Sequence, residues 1–250
     1  MIAQNCHRRM TAVHGLLVGL AAGLFWPLPA QAFDAAVLDS VVAVIPQWPG
    51  APQAGTGVRD APEGSAVAVL PGGYLATNAH VLGRATAADI RFADGRVAAV
   101  EIVGRDARAD IALLKADRDF PVPAHAAPPA PGGRVCAVGN QFGLGLSVTC
   151  GVVSALGVTH AGFNRVEDFI QTDAAVNPGG SGGALVDDGG RLIGLVSAIF
   201  TKQSDANIGV NFATVWAMVR RAAVDLRDHG RVQVGDPGLF AGPLGVEDRR

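Results

Sequence analysis

The sequence has no surplus of basic charge, no long apolar run outside its first thirty residues and no internal repeat. Twenty Lys and Arg face 22 Asp and Glu, a net charge of −2 with histidines neutral, so nothing marks a nucleic-acid or anionic-membrane partner. No fixed period marks a solenoid and no sustained heptads mark a coiled coil. Strands do not alternate with helices, which excludes the parallel sheet of α/β folds. Cysteine is scarce, with only Cys6, Cys136 and Cys150.

The N-terminus is the one segment with a targeting pattern. Arg8 and Arg9 precede the apolar run Leu16 to Trp26, and Ala30-Gln31-Ala32 ends it as an A-x-A cleavage signal. The run is too short for a membrane anchor and breaks at Pro27 and Pro29. Residues 1–32 therefore read as a signal peptide, with export to a periplasmic or secreted compartment and no membrane attachment after cleavage. Its two arginines leave with it and no acidic residue does, so residues 33–250 carry four net negative charges. Cys6 leaves too, and the two remaining cysteines lie in a compartment that permits disulfides. Cys136 and Cys150 sit near the ends of two apolar runs joined by a Gly-rich turn around Phe142 and Gly143. They face one another if the hairpin is symmetric, and are otherwise two small buried side chains.

Short β-type runs bounded by Gly, Pro and Asp recur at 66–70, 74–77, 90–92, 97–103, 111–114, 135–138, 146–153, 192–199 and 208–212, an all-β pattern. Pro71-Gly72-Gly73, Asp94-Gly95 and Asp187-Asp188-Gly189-Gly190 supply turns between them. The Pro-rich stretch 121–131 reads as a linker between two β units, about 33–125 and 132–212. Only 213–229 has a helical period, with Trp216, Val219, Ala223 and Leu226 on one face and Gly230 following. Residues 231–250 form a tail.

Asn177-Pro178-Gly179-Gly180-Ser181-Gly182-Gly183 sets a serine among four glycines, which lets the backbone turn sharply and bring amide N–H groups near whatever the hydroxyl attacks. No Gly-Lys-Ser/Thr follows, so this is not a phosphate loop. A serine hydroxyl is a poor nucleophile until a histidine, held in one tautomer by a carboxylate, takes its proton. His125 lies in the linker, His160 in a loop and His229 at the helix end; His80 directly follows a predicted strand. Asp110 precedes the apolar run Ile111-Ala112-Leu113-Leu114, with Asp106 its competitor. Chain order then discriminates. G-x-S-x-G elbows need acid and then histidine downstream of the serine, and only His229 follows. A subtilisin order would need a βαβ sheet. His80, Asp110, Ser181 is the chymotrypsin order.

Gly73 to Val81, Asp106 to Lys115 and Gln171 to Gly183 together resemble the protease domain of the HtrA (Deg) family of trypsin-like serine proteases. Val138-Gly139-Asn140 with Phe142 to Gly145, and Asn207 to Val210 with Phe212-Ala213, extend the likeness over roughly 40–221. It implies two six-stranded antiparallel chymotrypsin-like barrels with a C-terminal helix and the triad in the cleft between the barrels. It also implies an oxyanion hole from the backbone N–H groups of Gly179 and Ser181, and no metal or cofactor. It further implies an unfolded or extended polypeptide as substrate and a homotrimer as a candidate assembly. Ala175 stands where enzymes that cut after Lys or Arg hold an Asp. With Val176 beside it and Ile199 on the expected pocket wall, it implies a small or medium aliphatic P1 residue.

The sequence departs from the family pattern in two places. The residue before the nucleophile, usually Asn, is Gly180, which implies a looser oxyanion loop and weak or conditional catalysis. Gly242 to Val246 resembles the opening of the PDZ domain that usually follows, so the tail reads as a candidate remnant of such a start. Two rivals stand beside the protease: a pseudo-protease scaffold that binds extended peptides by β-augmentation, and an esterase on the same fold.

Overall fold

A computed structural model describes residues 34–48, 64–199 and 208–234, without the side chains of Ala198 and Ile199. The expected leader at 1–32 and most of the expected tail lie outside these residues. Among the described residues twelve strands close into two barrels. The first holds β1 (Val41–Gln47), β2 (Gly64–Leu70), β3 (Tyr74–Thr77), β4 (Ala87–Arg91), β5 (Val97–Asp106) and β6 (Ile111–Lys115), in the order β1-β2-β3-β6-β5-β4. The second holds β7 (Arg134–Gly139), β8 (Ser147–Val158), β9 (Phe169–Thr172), β10 (Ala184–Asp187), β11 (Leu192–Ile199) and β12 (Asn211–Val215). Its order, β10-β11-β12-β9-β8-β7, is the first barrel's order again with β7 in the place of β1. Every pairing between these strands is antiparallel. Among the described residues two α-helices accompany the strands, α1 (Ala79–Leu82) after β3 and α2 (Trp216–His229) after β12.

Three apolar clusters explain why the strands read as short continuous runs. Ala66, Ala68, Leu75, Ile90 and Leu114 fill the first barrel, and Val135, Ala137, Ile170, Leu185 and Ile193 fill the second. Val67, Val69, Leu113, Val138 and Leu195 point the other way and meet Trp216, Val219, Ala223 and Leu226 of α2 in a third cluster. β2 is buried at all seven positions because both of its faces are covered, so it lacks the alternation of a half-exposed strand. Each buried Val, Leu or Ile side chain among them contributes about 1.5–3 kcal/mol.

Helix α2 starts three residues later than its periodicity predicts. Ala213, Thr214 and Val215 pair with β11, and Ala213 and Thr214 pair also with β9; ladder bonds to two neighbours outweigh helical propensity there. Gly230 ends α2 in the left-handed region at φ 68°, its N–H donating to the Leu226 carbonyl, the capping role read from the sequence.

Candidate active site

The site lies where β2 meets the segment that follows β9. The Ser65 N–H donates to the Ser181 carbonyl across 2.8 Å, tying the first barrel to the loop that carries the serine. His80 is the second residue of α1, immediately beyond β3, and its side chain is about half exposed. Asp110 ends the turn between β5 and β6 with φ 56°. Aspartate enters this left-handed region more readily than most residues, at a cost of order 1 kcal/mol. That conformation is held by Asn78, fully buried beside His80, whose Nδ2 donates to the Asp110 carbonyl at 2.9 Å.

The Asp110 carboxylate is largely buried and grips His80 twice. Oδ1 accepts the His80 backbone N–H at 2.8 Å, and Oδ2 lies 2.6 Å from Nδ1. The Ser197 hydroxyl donates to Oδ2 at 3.4 Å. Both carboxylate oxygens thus accept from fixed donors, and Nδ1 of the imidazole is occupied, leaving Nε2 as the free ring nitrogen. Asp106, the competitor, is engaged elsewhere: it is paired with Arg108 at 2.9 Å and accepts that residue's own N–H.

Ser181 is half-buried, with its Oγ donating to the Ser197 carbonyl at 3.2 Å. Its loop follows a sharp course. Gly179 has φ 91° and lies so close to the Asn140 carbonyl that no side chain fits; Gly182 has φ 84° and presses on the Ser65 carbonyl. The backbone of this loop is fixed at successive carbonyls. Pro178 O accepts the Phe142 N–H at 2.6 Å, Gly179 O accepts the Ser65 hydroxyl at 2.7 Å, and Asn177 O accepts the Gly180 N–H at 2.9 Å. In a trans peptide the N–H points opposite to the C=O. The Gly179 N–H is therefore directed away from Phe142.

Thr149 and Gln141 support the segment before the serine. Thr149 Oγ1 donates to the Ala175 carbonyl at 2.5 Å, and Asn211 Nδ2 donates to that of Ala174 at 2.9 Å. Ala175 is half-buried, whereas Val176 is 3 % exposed and packs in the core of the second barrel. Ile199 ends β11, and its side chain lies outside the described residues. Cys136 and Cys150 stand opposite one another in the β7–β8 register and are joined by a disulfide.

A family model described as a trypsin-like peptidase domain matches residues 64–195, which span β2 through the Ser181 loop and into β11. The chain belongs to the trypsin-like peptidase family. Within it the likeness is to HtrA-type proteases. The periplasmic serine endoprotease DegP of Escherichia coli K12 is 40 % identical over 179 residues, which are 70 % of this chain and 38 % of DegP. The periplasmic pH-dependent serine endoprotease DegQ of the same organism is 39 % identical over 171 residues, 67 % of this chain and 37 % of DegQ. The chain therefore spans well under half the length of these curated relatives. A solved structure of the HtrA-type protease AlgW with a decapeptide superposes with a TM-score of 0.72 at 34 % identity, covering 85 % of this chain and 72 % of that one.

The sequence of this HtrA-type domain points to His80, Asp110, Ser181, Gly179 and Ala175 but gives no direct sign of Asn78, Ser65, Ser197, Thr149 and Gln141. All five are uncharged polar residues in or beside strand runs, where a polar side chain reads as an interruption. The available signal is that Ser65, Asn78 and Thr149 break otherwise apolar runs.

Proposed function

We propose that the chain is an exported serine endopeptidase that cleaves unfolded or extended polypeptides in the periplasm or outside the cell. The observation that carries this reading is the double grip of Asp110 on His80 beside a serine loop braced at successive carbonyls. In the reaction, the Ser181 hydroxyl turns from the Ser197 carbonyl to His80 Nε2, which takes its proton as Oγ attacks the peptide carbonyl. Asp110 keeps the Nδ1 proton in place and stabilises the imidazolium that forms. The N–H groups of Gly179 and Ser181 receive the oxyanion, a donor type worth about 10²–10³ in rate. His80 returns the proton to the leaving amine, and water hydrolyses the acyl-enzyme.

The absence of charge at Ala175 supports a small or medium aliphatic P1 residue. A peptide library cleaved preferentially after Lys or Arg overturns that part. The whole reading is tested with a fluorophosphonate probe on the native protein. Labelling that is lost in Ser181→Ala, together with cleavage of casein, is the expected result; no labelling under any condition refutes it. The rival scaffold, which binds extended peptides without cutting them, draws on the Ser181 hydroxyl being engaged by Ser197. It predicts peptide binding with neither labelling nor turnover.

A further inference from the structure

We infer that Gln141 is a positioning residue for the oxyanion loop, bracing from a neighbouring turn the segment that Gly180 leaves without a side chain of its own; this rests on the protease reading. Gln141 is 7 % exposed, and its carboxamide is used at both ends. Oε1 accepts from Asn177 Nδ2 at 2.7 Å, while Nε2 donates to the Ala175 carbonyl at 3.3 Å and contacts Thr149 Oγ1 at 3.4 Å. Asn177 is also the residue whose carbonyl holds the Gly180 N–H. One buried side chain thus connects the base of the expected P1 pocket to the turn that presents Gly179.

The backbone on either side of Gln141 acts on the same loop. The Asn140 carbonyl abuts Gly179, and the Phe142 N–H holds Pro178 O. To place that N–H, Phe142 adopts φ 56°, a conformation a bulky residue rarely takes, and the residue is 59 % exposed. An exposed phenyl does not fix a strained backbone. The buried carboxamide one residue earlier anchors the turn on its inner side, so the Phe142 strain and the Gln141 bonds belong to one device.

The geometry around Gly180 supports the division of labour. A Cβ added there would lie 3.6 Å from Gln141 Cγ and 3.0 Å from the Asn177 carbonyl. A side chain at 180 would share the space into which Gln141 reaches. The brace therefore comes from Gln141, across the loop boundary, and no residue within the Gly-rich run duplicates it.

The test compares wild type with Gln141→Leu, which keeps bulk and removes both bonds, and Gln141→Glu, which keeps the acceptor for Asn177 but sets a carboxylate against the Ala175 carbonyl. The expected result is a kcat about 10-fold lower in Gln141→Leu, below the 10²–10³ of a lost oxyanion donor because the donors themselves remain. KM changes less than about 3-fold and fluorophosphonate labelling slows in step with kcat. Gln141→Glu is as impaired at neutral pH and recovers relative to wild type as pH falls, since the protonated carboxyl donates to Ala175 O. A purely structural role would give no such pH-dependent ratio. Both variants unchanged in kcat, or a Gln141→Glu ratio flat with pH, overturns the inference while leaving the protease reading intact. A wild-type protein that neither labels nor cleaves overturns both. Should Gln141→Leu not fold, the pH dependence of Gln141→Glu alone decides.

Discussion

Replacing Asp110 with Asn isolates the orienting role of the carboxylate from its place in the fold. Asparagine tolerates the left-handed φ of 56° as aspartate does, and its Oδ1 still accepts the His80 backbone N–H. What changes is the other end, where an NH₂ group meets His80 Nδ1. Two N–H donors cannot share one bond, so the imidazole either loses this contact or places its proton on Nε2, the position that must accept from Ser181. Three donors converge on the native carboxylate at 2.6, 2.8 and 3.4 Å. The bond from the His80 N–H weakens by about 1 kcal/mol as its acceptor becomes neutral, and the contact with Nδ1 is lost or reversed at a similar cost, so stability should fall by about 1–2 kcal/mol. Catalysis should fall far more, by about 10⁴-fold in kcat, as a tautomer error does in a Ser-His-Asp triad. That is about 5.4 kcal/mol of barrier. Steady-state hydrolysis of an aliphatic-P1 peptide, beside a urea melt of the same preparations, separates the two losses. An Asp110→Asn enzyme within 10-fold of wild type, with its fold intact, would refute the orienting role of the carboxylate.

Other perturbations have distinct signatures. Removing the Cys136–Cys150 bridge, whose partners are 14 residues apart, releases a loop worth about 3 kcal/mol in the chain-entropy model. A double Ala variant should melt about 6–12 °C lower for a domain of roughly 200 residues, and a shift below about 2 °C would show that the β7–β8 register needs no staple. Gly179→Ala must abandon φ 91° and move the Asn140 carbonyl; kcat should drop by about 10²–10³ and the melting temperature by only a few degrees, and an unchanged kcat would remove Gly179 from the oxyanion hole. Glu167 predicts an acid limit. Burial works to raise its pKa, but backbone N–H groups of Asn164, Gly162, Phe163 and Ala161 outweigh this and hold it below the ordinary carboxylate value. A depressed folded pKa gives stability that is complete above the unfolded value, 4.5, and is lost as pH falls through the lower folded value. Glu167→Gln should flatten stability against pH in that acid window, and a profile identical to wild type would show the loop does not depend on its charge.

How much of the molecule is legible in the sequence depends on whether a residue's role is local. Gly230, the turn glycines and the runs of β2, β3, β6 and β7 act through their own neighbours and can be read directly. β1 carries Pro46, which argues against a central strand. Among the described residues its ladder to β2 ends at Val44 and Gly64, so Pro46 pairs only with β4. β9 and β10 are four residues each, and their apolar positions merge with flanking segments. The shared topology of the two barrels leaves no repeat in the sequence, because a barrel constrains which positions are apolar far more than which apolar residue stands there. The partners of Ser65, Thr149 and Gln141 are hidden for a related reason. Each acts on a residue between 26 and 114 positions away, a relation that chain order alone does not encode.

Gly180 by itself implies a loose loop, and its neighbours alter that conclusion. Flipping the Pro178–Gly179 peptide, which would reverse the N–H proposed to meet the oxyanion, breaks the bond from Phe142 and disturbs those from Ser65 and Gly180 on the adjoining peptides. At about 0.5–1.5 kcal/mol net for each bond, the flip costs about 1.5–4.5 kcal/mol, and water recovers part of this only where it can reach. A cost near 3 kcal/mol leaves under about 1 % of molecules flipped. The flexibility that glycine confers is a property of the unfolded chain as much as of the folded one, and in this fold two neighbouring segments remove it. The loop, bare of a side chain at 180, is therefore held in one state by Ser65 from the first barrel, and by Gln141 and Phe142 from the β7–β8 turn. Regulation, if it acts on this loop, must act through those partners, because Gly180 itself offers nothing for an effector to grip.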